Sequence, residues 1–145
     1  MKVLFLCTND TCRSVMANAV FHTLAQKRGI DAECDSAGLA EYGGEAPNKN
    51  AIEVMREIGI DISGYRSKNI SPQMLSQADL IITMTDAQKE SLCAFDSMVE
   101  NKTKVMDISD PYGHAVEDYR RCMGEIVKYI DRLLEVDEEN ANNEN

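Results

Sequence analysis

Two hydrophobic periods alternate along this chain, and few folds accept that alternation. Lys2 to Leu6 (KVLFL) is a short apolar run suited to a buried strand. After a loop from Cys7 to Arg13, Val15, Met16, Ala19, Val20 and Leu24 recur at helical spacing up to Gly29. Ile30 to Ser36 reads as a second strand, and residues 48–58 (NKNAIEVMREI) place Ala51, Ile52, Val54, Met55 and Ile58 on a helix stopped by Gly59. Ser71-Pro72 opens another helix, because proline suits the first helical position. Asp79 to Met84 (DLIITM) is a β-branched run fit for a central parallel strand. A helix over Asp86–Ala94, a short fourth strand over Lys104–Ile108 and a terminal helix over Val116–Leu134 complete the pattern. Strands alternating with helices predict a doubly wound α/β fold. The expectation is a single domain over residues 1–135, with a four-stranded parallel sheet flanked by helices on both faces.

A chain of 145 residues buries roughly two thirds of the surface it exposes when unfolded, so such a domain needs neither disulfide nor metal to hold it. Residues 136–145 (VDEENANNEN) offer little to bury and read as an acidic, Asn-rich, disordered tail. Asp137, Glu138, Glu139 and Glu144 in that tail supply four of the ten excess negative charges, so the acidity is only partly a property of the domain. A net charge of −10 repels a nucleic acid backbone, and no apolar run approaches the ~18 to 20 residues of a membrane span; neither is expected as a partner. The five cysteines are odd in number and no signal peptide opens the chain, which predicts a reducing, cytoplasmic setting. There is no Cys-x-x-Cys pair, and His22 and His114 lie far apart in sequence, so neither a metal nor any other cofactor is expected.

In a doubly wound sheet, ligands bind beyond the carboxyl ends of the strands, which directs attention to the loop after the first strand. That loop reads Cys7-Thr8-Asn9-Asp10-Thr11-Cys12-Arg13-Ser14: a cysteine, five residues, an arginine, then a hydroxyl where a helix begins. A loop wrapping into a helix N-terminus turns several backbone N–H groups toward one hollow, and the helix dipole adds partial positive charge there; a phosphate dianion fits. Arg13 would grip two phosphate oxygens through its planar fork. The same field favours the thiolate of Cys7, a nucleophile at neutral pH, and Ser14 is placed to donate a hydrogen bond to that sulfur. The Gly-Lys pair of a nucleotide-binding P-loop is missing. A cysteine after an apolar strand, taken without its loop, is more often a packed core residue.

With these residues the chain resembles the low molecular weight protein phosphatases, the cysteine-dependent family that includes tyrosine phosphatases and bacterial protein arginine phosphatases. CTNDTCRS (7–14), DSAGL (35–39), GIDISGYRSK (59–68), ADLIITMT (78–85) and DPYG (110–113) look like family landmarks in family order. The resemblance implies that Cys7 is the nucleophile, Arg13 the phosphate clamp, Ser14 the support of the thiolate and Asp110 the general acid. Thr8, Asn9, Asp10, Thr11 and Cys12 complete the phosphate loop, and Ser36 braces it. The implied reaction is in-line attack by Cys7 on phosphorus, with Asp110 protonating the leaving atom and then activating water to release a cysteinyl phosphate. The implied partner is a phosphorylated protein. Tyr112 would line the mouth of the site, although a loop tyrosine without a role is equally compatible with the sequence. Loops 39–47 and 109–114 are expected to face the substrate.

The pattern breaks at several positions. Asn9 stands where the family usually has glycine and Asp10 where it has asparagine; both residue types tolerate positive φ, so the loop is expected to keep its shape. An ionised Asp10 beside the pocket would repel a dianion unless its side chain turns away, toward Ser36 for instance, and turnover slower than that of an Asp10→Asn variant is expected. Tyr65 replaces a histidine usual in the family, and Gln88 stands where several bacterial members have another. Thr11 and the stretch EDYRR (117–121) resemble the arginine phosphatases, which leaves phosphotyrosine and phosphoarginine both open. Cys12 is a candidate reversible disulfide partner for Cys7 or a packing residue. Two rival functions share the loop: a thioredoxin-coupled arsenate reductase, which needs a relay pair of cysteines after the central strand where only Cys93 is found, and a catalytically weak phosphate-binding module.

Overall fold

The computed structural model describes residues 1–40 and 43–144. Strand β1 (Lys2–Cys7) leads through a loop into helix α1 (Arg13–Lys27), followed by β2 (Glu33–Gly38), α2 (Lys49–Glu57), α3 (Pro72–Gln77), β3 (Leu80–Thr83), α4 (Asp86–Phe95), β4 (Thr103–Val105) and α5 (Val116–Glu144). The sheet has the order β2-β1-β3-β4 and every pairing is parallel. Residues along β1 alternate between two cores. Val3, Phe5 and Cys7 pack with residues of α1, α2 and α5, whereas Leu4 and Leu6 pack with Leu75 of α3 and Leu92 of α4. Both faces are thus covered, which is why the strand reads as an unbroken apolar run, each large side chain contributing ~1.5–3 kcal/mol on burial.

The order places a switch point beside β1. Its neighbours β2 and β3 are reached by crossovers in opposite directions, and the crevice at their carboxyl ends opens where Cys7 ends its strand.

Element boundaries differ from the sequence expectation for identifiable reasons. β2 begins at Glu33 rather than Ile30 because its register is set by β1: Lys2 pairs with Glu33 and Cys7 with Gly38, and the Glu33 N–H donates to the Met1 carbonyl at 2.8 Å. The fourth strand stops at Val105 instead of Ile108. Asp107 takes φ 61°, which bends the chain, although the Met106 and Ile108 N–H groups still bond the carbonyls of Thr83 and Met84. A 3-10 turn over Ser97–Lys102, capped by Asp96, precedes that strand and has no sequence counterpart. The terminal helix does not end at Leu134. Residues 136–144, expected as an unstructured tail, continue α5 to Glu144, since a helix already anchored by Ile126, Ile130 and Leu134 gains one hydrogen bond for each residue it adds. Asn145, and Glu41 and Tyr42 of the loop expected to face substrate, lie outside the described residues.

Candidate active site

The site begins where β1 runs out. Cys7 ends the strand 4% exposed, and residues 8–12 wrap from it into the first turn of α1. The outer side of this loop is pinned by three backbone bonds, from Leu39 to the Cys7 carbonyl, from Ala40 to that of Thr8 and from Asn48 to that of Thr11. Gln88, at the start of α4, donates from Nε2 to Thr8 Oγ1 at 3.2 Å, while its Oε1 accepts from the Met84 and Thr85 N–H groups. Among the described residues, no backbone N–H from Thr8 to Arg13 donates to a protein acceptor. Helix α1 has no side-chain N-cap and no acidic residue in its first turn. Its free N–H groups and dipole therefore remain available to an anion.

A hollow of about 70 Å³ is lined by Cys7, Thr8, Asn9, Thr11, Cys12, Arg13, Asp110 and Tyr112, so the fold brings Cys7, Arg13 and Asp110 together with most of the loop. Arg13 is 5% exposed. Its Nη1 donates to the Ile108 carbonyl at 2.7 Å and its Nη2 lies 3.7 Å from Asp110 Oδ2, so the segment after β4 aims the guanidinium. Asp110 is 56% exposed and faces solvent; its Oδ1 accepts from the Tyr112 N–H at 3.0 Å, closing a turn that sets Tyr112 at the rim, 74% exposed. The Cys12 thiol is buried, and burial pushes its pKa up with help from the neighbouring Cys122 and Cys7. A groove lined by Leu39, Ala40, Thr85, Gln88 and Ser91 continues outward from Arg13 and Asp110.

Asp10, Ser14 and Ser36 do not line the hollow; they form a polar layer behind it. Asp10 adopts φ 52°, within the left-handed region that aspartate tolerates better than most residues, and turns its fully buried carboxylate inward. Asn9 stays outside that region, so its position makes no demand for glycine. Asp10 Oδ1 accepts from Ser14 Oγ at 2.7 Å; Oδ2 accepts from Tyr65 Oη at 2.7 Å and from the Lys68 N–H at 3.1 Å. Ser36 Oγ lies 2.6 Å from Tyr65 Oη and reaches Asp10 through it. Ser14 Oγ is also 2.8 Å from Cys7 Sγ. Desolvation raises the Asp10 pKa from its ordinary value, opposed by the hydrogen bonds it accepts, those of Tyr65 and Ser14 foremost. Tyr65, Gln88 and the Ile108 carbonyl are the positioning groups that the sequence does not assign. Tyr65 and Gln88 were visible there only as departures from a family pattern, and a backbone carbonyl leaves no signal.

The model of the family described as low molecular weight phosphotyrosine protein phosphatase matches residues 2–143. A protein-arginine-phosphatase of Geobacillus stearothermophilus is 32% identical over 143 residues, covering 92% of this chain and 94% of the relative. An arsenate reductase of Bacillus cereus is 33% identical over 136 residues, covering 94% and 96%. The crystal structure of a low molecular weight protein tyrosine phosphatase from T. tengcongensis superimposes with a TM-score of 0.90 at 36% identity, covering 93% of this chain and 98% of that one.

Proposed function

Since the chain belongs to the low molecular weight phosphotyrosine protein phosphatase family, we propose that it is a cysteine-dependent protein phosphatase that hydrolyses phosphotyrosine or phosphoarginine through a cysteinyl-phosphate intermediate. The observation that carries this reading is the hollow itself, in which a cysteine sulfur, an uncapped helix N-terminus, a buried arginine and a solvent-facing carboxyl converge.

The phosphoryl group sits on the free N–H groups of residues 8–13 and on the fork of Arg13, which the Ile108 carbonyl holds in place. Sγ of Cys7 attacks phosphorus in line, and the bond from phosphorus to the leaving oxygen or nitrogen breaks as Asp110 delivers its proton there. Asp110, now a carboxylate, takes a proton from water, whose oxygen attacks the cysteinyl phosphate and returns Cys7 as a thiolate. The rim offers Tyr112 as a wall for the substrate side chain, and Thr11 as a small polar group that a guanidinium can meet. The adjoining groove along Thr85, Gln88 and Ser91 has room for the flanking peptide.

The test is phosphate release from p-nitrophenyl phosphate, and from phosphotyrosine and phosphoarginine peptides at equal concentration, by the wild type and Cys7→Ser. Turnover of at least one peptide that vanishes in Cys7→Ser is expected. Tight binding of phosphate without turnover would make the protein a binding module. Arsenate-dependent oxidation of thioredoxin in its place would make it a reductase.

A further inference from the structure

The reading of Cys7 as nucleophile leaves a buried carboxylate, Asp10, without a part in the chemistry, and the hydrogen-bond geometry behind the pocket supplies one. Ser14 Oγ has two partners at bonding distance, Cys7 Sγ at 2.8 Å and Asp10 Oδ1 at 2.7 Å, but a hydroxyl owns a single proton. If Ser14 donates to an Asp10 carboxylate, Cys7 must be a thiol that donates to Ser14. If Ser14 donates to a Cys7 thiolate, Oδ1 must itself carry a proton and donate to Ser14. With both groups ionised, one of the two short contacts sets lone pair against lone pair. The other oxygen of Asp10 is fixed as an acceptor in every case, because the Lys68 N–H can only donate to it.

We propose that Cys7 and Asp10 share one proton through Ser14, and that Asp10 holds it while Cys7 works as a thiolate. The exchange balances internally. The S–H bond of Cys7 breaks as its proton joins Ser14 Oγ, while the proton that Ser14 carried moves to Asp10 Oδ1. No proton enters or leaves, and the pair keeps a charge of −1. A phosphate dianion then meets one negative charge rather than two.

The surroundings favour this arrangement. Asp10 is faced by Ser14 from α1, Ser36 from β2, and Tyr65 and the Lys68 N–H from the segment before α3; none of these groups is a cation. The ammonium of Lys68 turns outward, 2.7 Å from Asp35 Oδ1 and 5.6 Å from the centre of the Tyr65 ring. On the other side, Cys7 shares the pocket with Cys12, Arg13 and Asp110, so the guanidinium of Arg13 lies on the sulfur side of the pair. Burial, which raises the Asp10 pKa, acts in the same direction. Asparagine at position 10 would fix the same pattern permanently, its amide NH2 toward Ser14 and its carbonyl toward Tyr65 and Lys68. Aspartate makes the pattern conditional on a proton, and its loss at alkaline pH removes Ser14's bond to the sulfur.

Infrared difference spectra of protein carrying isotope-labelled aspartate read the proton directly. The expected result at neutral pH is a protonated carboxyl band in the wild type that is missing from Asp10→Asn and converts to carboxylate in Cys7→Ser, where no thiolate needs the Ser14 proton. A wild type with no such band, or a band that Cys7→Ser leaves unchanged, would overturn the proposal. Should Asp10→Asn not fold, the wild type and Cys7→Ser spectra decide alone. Absence of phosphatase activity in the wild type would count against the functional reading, whereas the spectra would still report on the shared proton.

Discussion

Asp10 is an acidic residue placed where phosphate chemistry least tolerates a negative charge, and the structure meets that conflict by burial and by hydrogen bonds. Its carboxyl group is fully buried, points away from the hollow and is hydrogen-bonded to Ser14, Tyr65 and Lys68. That arrangement has a consequence for stability. A carboxyl whose pKa is raised in the folded state contributes fully below its ordinary value of 3.8, and this contribution is lost as pH rises through the folded value. Asp10→Asn keeps the donors satisfied and does not titrate. Its Tm relative to the wild type, followed by scanning calorimetry, should therefore climb as pH rises above the ordinary carboxyl value of 3.8; a constant difference would show that burial does not perturb the carboxyl. Cys7 and Arg13 were legible in the sequence as a short loop pattern, and Asp110 through the family resemblance of DPYG; the fold sets all three around one hollow. Tyr65 was not legible, because its bond to Asp10 spans 55 positions and no local spacing announces it.

Among the elements, α1 differs from α2, α3 and α4 in how it starts. α2, α3 and α4 start with side-chain caps, from Asn48, Ser71 and Thr85, the last completed by Gln88 into a reciprocal capping box. The uncapped start of α1 leaves orphan donors that a bound anion can satisfy. Orthophosphate at about 100 times its Kd should stabilise the wild type by about 2.7 kcal/mol, visible as a rise in Tm, and should do far less for Arg13→Ala, which lacks the clamp. An equal shift in both proteins would place the phosphate elsewhere. The helix and strand segments were readable from apolar periodicity, yet their ends were not. β2 starts where pairing with β1 allows, and β4 stops where Asp107 turns the backbone to positive φ. That turn also brings the Ile108 carbonyl to Arg13, so a boundary that periodicity misplaced helps to build the site.

At the scale of the whole molecule, an acidic chain presents a local pocket for a dianion. Four of its ten excess negative charges fall in residues 136–145, beyond Leu134, the last buried anchor named in α5. Chains ending at residue 135 are expected to keep kcat/KM for p-nitrophenyl phosphate within about twofold, since the residues lining the hollow fall between Cys7 and Tyr112. A larger loss would tie the end of α5 to the site. Among the described residues, no helix is long and apolar enough to cross a membrane. The sequence by itself determined the alternation of strands and helices, the two-sided core of β1 and the loop from Cys7 to Ser14, because periodicity and short motifs are local properties of a chain. Only the tertiary structure decided what Asp10 does. The protonation of a buried carboxyl depends on the water it loses and the donors it gains, and here Ser36, Tyr65 and Lys68 reach it from segments far along the chain.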